Sequence, residues 1–217
     1  MDGVLYDSMP NHAYAWEHST EKFGLKMTQA EAYQFEGMRG VETIKIIAQR
    51  QWGRLISDAE SQEIYDEKSA IYASRPEAKI MPGVMDLQRQ MKADGAKIVV
   101  VTGSGQRSLL QRLLRDFDGL VSRELMVTSF DVSRGKPQPD PYLMGLQKAG
   151  VSADEAMVVE NAPLGVRAGK AAGIFTVAVN TGPLPDQELW EAGADLVFPD
   201  MYELHDWWNN QRDKAHV

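Results

Sequence analysis

The sequence predicts an α/β protein, a doubly wound parallel sheet with a helical bundle inserted near its start. Three observations carry that expectation. Residues 10–75 place apolar side chains at helical spacing and contain no convincing strand. Beyond Pro82-Gly83, short apolar runs alternate with helical patterns, as parallel strands covered on both faces do. The opening stretch Asp2-Gly3-Val4-Leu5-Tyr6-Asp7-Ser8 reads as the exit of a buried strand into an acidic loop.

Taken in order, Ala15, Trp16 and Phe23 lie on one helical face that stops at Gly24. Thr28 is an expected N-cap, and Ile44, Ile47 and Ala48 mark a helix ending at Gly53. Ser57 with Glu60 forms a capping-box pattern ahead of Ile64, Ile71 and Tyr72. The second half starts with a helix at 83–94, then an expected strand over Ala96–Val101 that ends at Thr102-Gly103-Ser104-Gly105. Leu109, Leu110, Leu113 and Leu114 form the apolar face of the next helix, followed by a short strand at Met126-Val127-Thr128. A helix over 139–149, a strand at Met157–Glu160, a helix over 163–172 and a strand from Ile174 to Val179 complete the pattern. Val4 and Leu5 are too few to supply the first strand of the sheet, so that strand is expected ahead of Met1. The expected boundaries are a core of residues 1–8 and 83–217 with a helical cap of 9–82. Paired crossings near 9–11 and 79–83 would make a hinge under a lid.

Bulk properties narrow the function. A length of 217 residues suits one sizeable domain with a smaller insertion. The absence of cysteine excludes disulfides and thiolate chemistry. No apolar run approaches the roughly 18 residues of a membrane span, and no leader pattern is visible, so a cytoplasmic, monomeric protein is expected. A net charge of -8 argues against a nucleic-acid surface. It leaves room for a small anionic substrate bound through a divalent metal, focused lysines and backbone N–H groups.

Ligands of open α/β sheets collect beyond the carboxyl ends of the strands. Asp2, Thr102, Lys136 and Glu160-Asn161 stand there in this pattern. Singly, Asp2 and Thr102 can cap helices, Lys136 can be a solvated loop lysine, and Glu160-Asn161 can be turn residues. Together they read differently. Thr102-Gly103-Ser104 offers a hydroxyl and backbone N–H groups to phosphate oxygens at a helix start. Gly135-Lys136-Pro137-Gln138-Pro139 holds a cation on a stiffened loop. Glu160-Asn161 supplies hard oxygen ligands of the kind Mg²⁺ takes.

Asp2-Gly3-Val4-Leu5, Thr102, Gly135-Lys136-Pro137 and Glu160-Asn161-Ala162-Pro163-Leu164-Gly165 resemble, in order and spacing, the four motifs of the haloacid dehalogenase superfamily. The helical insertion looks like the cap of its β-phosphoglucomutase-like branch. The resemblance implies a Rossmann-like core, an inserted cap, Mg²⁺ dependence and two-step phosphoryl transfer through an aspartyl-phosphate. Asp2 matches the acid/base aspartate, with its main-chain carbonyl a metal ligand. Thr102 matches the second-motif hydroxyl and Lys136 the charge-neutralising lysine. Asn161 matches a metal ligand that is usually aspartate, with Glu160 beside it. The nucleophile's position is the one preceding Met1, where an aspartate is expected.

The cap should choose the substrate. Its Gly-x-x-Arg element, which grips a second phosphate in the sugar phosphomutases, appears as Gly37-Met38-Arg39-Gly40 with the arginine displaced. Gly105-Gln106 replaces an expected lysine-asparagine pair, and Glu36 replaces a common lysine. A carboxylate facing a bisphosphate would repel it without an intervening cation. His12, Glu36 and Lys68 over this core resemble the inorganic pyrophosphatases of the superfamily. That resemblance implies pyrophosphate as substrate, with His12 and Lys68 on the leaving phosphate and Glu36 holding water or metal. A sugar-phosphate phosphatase or mutase, and a phosphate-binding regulatory module without a nucleophile, are the alternatives.

Overall fold

The computed structural model describes residues 1–104 and 107–215. The first four helices are α1 (Met9–Lys22), α2 (Gln29–Gln34), α3 (Gly40–Trp52) and α4 (Asp58–Ala73). Local chemistry sets their ends. Thr28 and Ser57 each close a reciprocal capping box, with Glu31 and Glu60 respectively, and Gly53 ends α3 at φ 67°. Ala13, Trp16, Leu25, Ile44, Ile47 and Ile64 bury their faces in one cluster, a core belonging to the bundle alone. Each fully buried isoleucine there contributes about 1.5–3 kcal/mol.

Pro10 stands in the first turn of α1, so the helix begins at Met9 and the outgoing crossing lies earlier than the expected 9–11. The crossings are paired by backbone bonds. Asp7 N–H donates to the Lys79 carbonyl at 2.9 Å, Met81 N–H to Leu5 at 2.9 Å, and Tyr6 bridges Ile80 antiparallel.

The rest of the chain alternates α5 (Val84–Ala93), β1 (Val100–Val101), α6 (Arg107–Asp116), β2 (Met126–Val127), α7 (Asp140–Ala149), β3 (Met157–Glu160), α8 (Pro163–Ala171), β4 (Phe175–Val179), α9 (Asp186–Glu191), β5 (Leu196–Phe198) and α10 (Met201–Ala215). All strand pairs are parallel. Among the described residues they form two sheets, β1-β2 and β3-β4-β5. The apolar run at 96–101 yields only two strand residues. Ala96 N–H closes the end of α5 on the Met91 carbonyl, and Lys97 reaches the Ala149 carbonyl at 2.7 Å. Residues of both sheets, the opening loop and α10 share one cluster, including Leu5, Val100, Phe117, Met126, Val177 and Leu204. Trp207 packs on Phe198 and Phe175, and Trp208 donates to Asp94.

Candidate active site

The carboxyl ends of β1 and β3 and the bundle above them bring most of the expected residues together. The opening loop is fixed first. Gly3 has φ 66°, and a Cβ there would lie 1.9 Å from Asn161 Nδ2, so only glycine lets the loop pass under Asn161. Its carbonyl accepts from Thr181 Oγ1 at 2.6 Å, just beyond β4.

Asp2 Oδ1 accepts from Ser8 Oγ at 2.6 Å and lies 3.1 Å from His12 Nε2. His12 Nδ1 in turn lies 2.7 Å from Lys68 Nζ. An ammonium can only donate, so Nδ1 is the acceptor and Nε2 carries the proton given to Asp2. Both cap residues thus point to the core carboxylate. Burial alone would raise the Asp2 carboxyl, but the His12 imidazole foremost, and then Ser8, hold it well below the usual range. Burial and then Lys68 lower His12, against Asp2. Lys68 is 4% exposed, with the Trp16 and Tyr72 rings each 5.2 Å away, and burial pulls its ammonium down to about 8.

A second group forms around Glu160, 6% exposed at the end of β3. One of its oxygens accepts from Lys136 Nζ and the Tyr142 hydroxyl, the other from Asn161 N–H at 3.1 Å. Burial pushes this carboxyl up, but Lys136 foremost holds it below its ordinary value. A Cβ on Gly165 would lie 2.1 Å from Glu160 Cδ, so the glycine after the Ala-Pro-Leu turn makes room for the carboxylate. The Lys136-Pro137 bond is cis.

Glu36 descends from the bundle and accepts from Asn161 Nδ2 at 2.9 Å. Burial first, then Glu160 and Asp2, raise its carboxyl well above normal. Thr102 is buried, with Oγ1 accepting from Ser104 N–H at 3.1 Å, and with Gly103 and Lys136 it lines a small cleft under Gly37. Arg39 also lines this cleft, with its guanidinium turned to the neighbouring loop. Its Nη1 donates to the Ser133 carbonyl at 3.1 Å, and its stem crosses Gly135. Gly105-Gln106 lies outside the described residues.

Sequence reasoning missed Ser8, Tyr142 and Thr181. Ser8 sits one turn before His12, and Tyr142 follows the proline-rich loop by three residues, yet neither spacing names a partner. Asn161, Glu36 and the main-chain carbonyl of Asp2 offer a hard-oxygen donor set. The negative charges of Glu160 and Asp2 raise the Glu36 carboxyl, a field in which a divalent cation is favoured, so the oxygen donors of Glu36, Asn161 and Asp2 fit Mg²⁺. Among the described residues, no set of three or more His, Cys, Asp or Glu side chains is gathered for a metal.

Comparison with known proteins accords with this geometry. Hexitol phosphatase A of Escherichia coli (strain K12) is 32% identical over 205 residues, covering 94% of this chain and 90% of that protein. A candidate pyrophosphatase, PpaX of Caldanaerobacter subterraneus subsp. tengcongensis, is 27% identical, covering 94% and 90%. A solved structure of a candidate beta-phosphoglucomutase from Bacteroides vulgatus superposes with a TM-score of 0.94 at 46% identity, covering 98% of this chain and 86% of that one. The family profile described as haloacid dehalogenase-like hydrolase matches residues 1–179, and with four motifs converging at the strand ends, the chain belongs to that family.

Proposed function

We propose that the protein is a Mg²⁺-dependent phosphatase of small phosphorylated carbohydrates or polyols. The observation that carries this reading is the Asp2 carboxylate, held ionised by Ser8 and His12, with Asn161 joining its loop to the Lys136–Glu160 pair. Asp2 Oδ1 is taken by those two donors, leaving Oδ2 to move the leaving-group and water protons. Lys136 and the Thr102 hydroxyl would neutralise and orient the transferring phosphoryl group. Lys68 adds a cation on the leaving-group side. Asn161, Glu36 and the Asp2 carbonyl would hold Mg²⁺, which supplies further charge neutralisation to the phosphate.

Kinship supports the carbohydrate assignment, because hexitol phosphatase A is more similar to this chain than PpaX is, 32% against 27%. The pyrophosphate preference expected from His12, Glu36 and Lys68 does not gain support from these relatives. Arg39 favours hydrolysis over mutase chemistry, since its guanidinium is turned to the Ser133 carbonyl. One contact favours pyrophosphate as a second reading. Glu36 on Asn161 places a carboxylate over the site, and a compact magnesium complex meets it better than a neutral sugar ring.

A substrate panel with the intact protein and Mg²⁺ decides between them. The carbohydrate reading expects kcat/KM for a hexitol or hexose phosphate to exceed that for pyrophosphate by at least about ten-fold. The reverse order would install the second reading. Conversion of one sugar phosphate isomer to another would instead mark a mutase, and phosphate binding with no turnover a binding module.

A further inference from the structure

We infer that Tyr142 is a positioning residue for phosphate binding, acting through Glu160 on Lys136. This rests on the phosphatase reading above, but not on which substrate is cleaved. Tyr142 is 7% exposed in the first turn of α7. Its hydroxyl donates to the same Glu160 oxygen that receives Lys136 Nζ, and the Lys136 ammonium lies 5.2 Å from the centre of its ring.

The arrangement assigns Glu160 a particular job. Its carboxylate meets three donors from the protein itself: an ammonium, a phenol and the Asn161 N–H. Such a carboxylate orients its neighbours and is poorly free to ligate a metal. Both donors on one oxygen compete for the same electron density. The phenol therefore weakens the hold of Glu160 on Lys136 and leaves the ammonium's other protons directed at the cleft shared with Thr102 and Gly103. The ring also lies under the ammonium itself, 5.2 Å from its centre. Without the hydroxyl, Glu160 and Lys136 would close into a simple ion pair, and the cation would be withdrawn from an incoming phosphate.

Two glycines support this. Gly165 leaves the space that Glu160 occupies, and a Cβ there would sit 2.1 Å from the carboxyl carbon. Gly37 of the cap comes within contact of the Lys136 stem, where a Cβ would lie 3.0 Å from Cδ. The lysine is thus confined by core and cap together, and the phenol is the part of that enclosure that acts on its charge.

Binding of inorganic phosphate in the presence of Mg²⁺, measured by calorimetry on the intact protein, tests the inference. Tyr142→Phe keeps the ring and removes only the hydroxyl. It should weaken phosphate binding by about ten-fold, the scale of one charge-assisted hydrogen bond. On a Lys136→Met background the same change should alter binding less than about two-fold, because the phenol then has no lysine to act on. Equal losses on both backgrounds would mean a merely structural tyrosine and overturn the proposal, as would no loss on the wild-type background. Gly165→Ala approaches the same carboxylate from α8 and should weaken phosphate binding in the same Lys136-dependent way. Should Tyr142→Phe fail to fold, that variant decides, and a loss independent of Lys136 overturns the proposal. A wild-type protein that binds no phosphate would instead remove the phosphatase reading, and this inference with it.

Discussion

Lys68 carries its charge inside an enclosure of Trp16, Tyr72 and His12, and this makes the residue sensitive to pH near neutrality. Its ammonium titrates at about 8 in the folded protein against an ordinary 10.5. The unfolded chain therefore binds one more proton between those values, so burial of Lys68 costs most stability below pH 8. That cost is relieved as pH rises from about 8 to 10.5. Substrate binding should move the opposite way: KM for a phosphorylated substrate should climb through pH 8 as the cation is lost. Lys68→Arg should remove that limb, since a guanidinium stays charged; a KM flat from pH 7 to 9.5 in the wild type would exclude Lys68 from binding. Glu36 offers a second test. Glu36→Gln keeps an acceptor for Asn161 and removes the repulsion from Glu160 and Asp2. The metal-free variant should be more stable by about 1 kcal/mol, while the rise in Tm on adding Mg²⁺ shrinks. A variant whose Mg²⁺ response matched wild type would take Glu36 out of the metal site. Asp2, Thr102, Lys136 and Asn161 were legible in the sequence because strand ends and turn residues mark such places. Ser8, Tyr142 and Thr181 were not, because their roles exist only once distant segments meet: Thr181 lies 178 positions from the glycine it holds.

At the scale of elements, the connection between α2 and α3 does more than join helices. Within four residues Glu36 meets Asn161, Gly37 lies over Gly103 and Lys136, and Arg39 bonds the loop that carries Lys136. Gly37 has φ 85°, which lets the chain turn sharply enough to present all three. Arg39→Ala should leave the chemistry intact and loosen the closed arrangement, raising KM several-fold with kcat nearly unchanged. The estimate follows from one exposed charged hydrogen bond of about 1 kcal/mol. An equal fall in kcat would show that Arg39 acts on the reacting groups after all. The glycine-arginine pattern was visible in the sequence, but the direction of the side chain was not, because Ser133 lies 94 positions away. Helix and strand order was readable through β4, where apolar runs are long. α9, β5 and α10 escaped because polar residues interrupt the apolar side chains of both helices, and Asp195 and Pro199 close in on the three-residue β5.

For the whole molecule, the two separate hydrophobic clusters make the paired crossings the chief covalent link between bundle and sheet. Two backbone hydrogen bonds, Asp7 N–H to Lys79 and Met81 N–H to Leu5, with Tyr6 opposite Ile80 between them, hold the crossings as a narrow ribbon. A side-chain clasp reinforces it. Arg112 of α6, with a side chain only 14% exposed, donates to the Ala78 carbonyl, pairs with Asp116 at 3.0 Å and lies 4.5 Å over the Tyr6 ring. The Tyr6 hydroxyl donates to the same Asp116 at 3.1 Å. One guanidinium therefore fastens both crossings to the core, beside the apolar packing of Leu5, Tyr6, Ala78 and Met81 in the same cluster. Arg112→Ala leaves Asp116 half-buried with Arg115 as its remaining cation and frees the Ala78 carbonyl, which should destabilise the protein by about 1–3 kcal/mol. The loss should not be spread evenly. Amide exchange should quicken at Asp7 and Met81, whose N–H groups form the ribbon, and stay slow in α3 and β4, which lie deep in separate clusters. Tyr6→Phe removes one arm of the clasp and should give the same pattern more weakly. If both variants accelerated exchange uniformly, the ribbon would be no more than another part of the core, and cap movement would have to turn on a different segment.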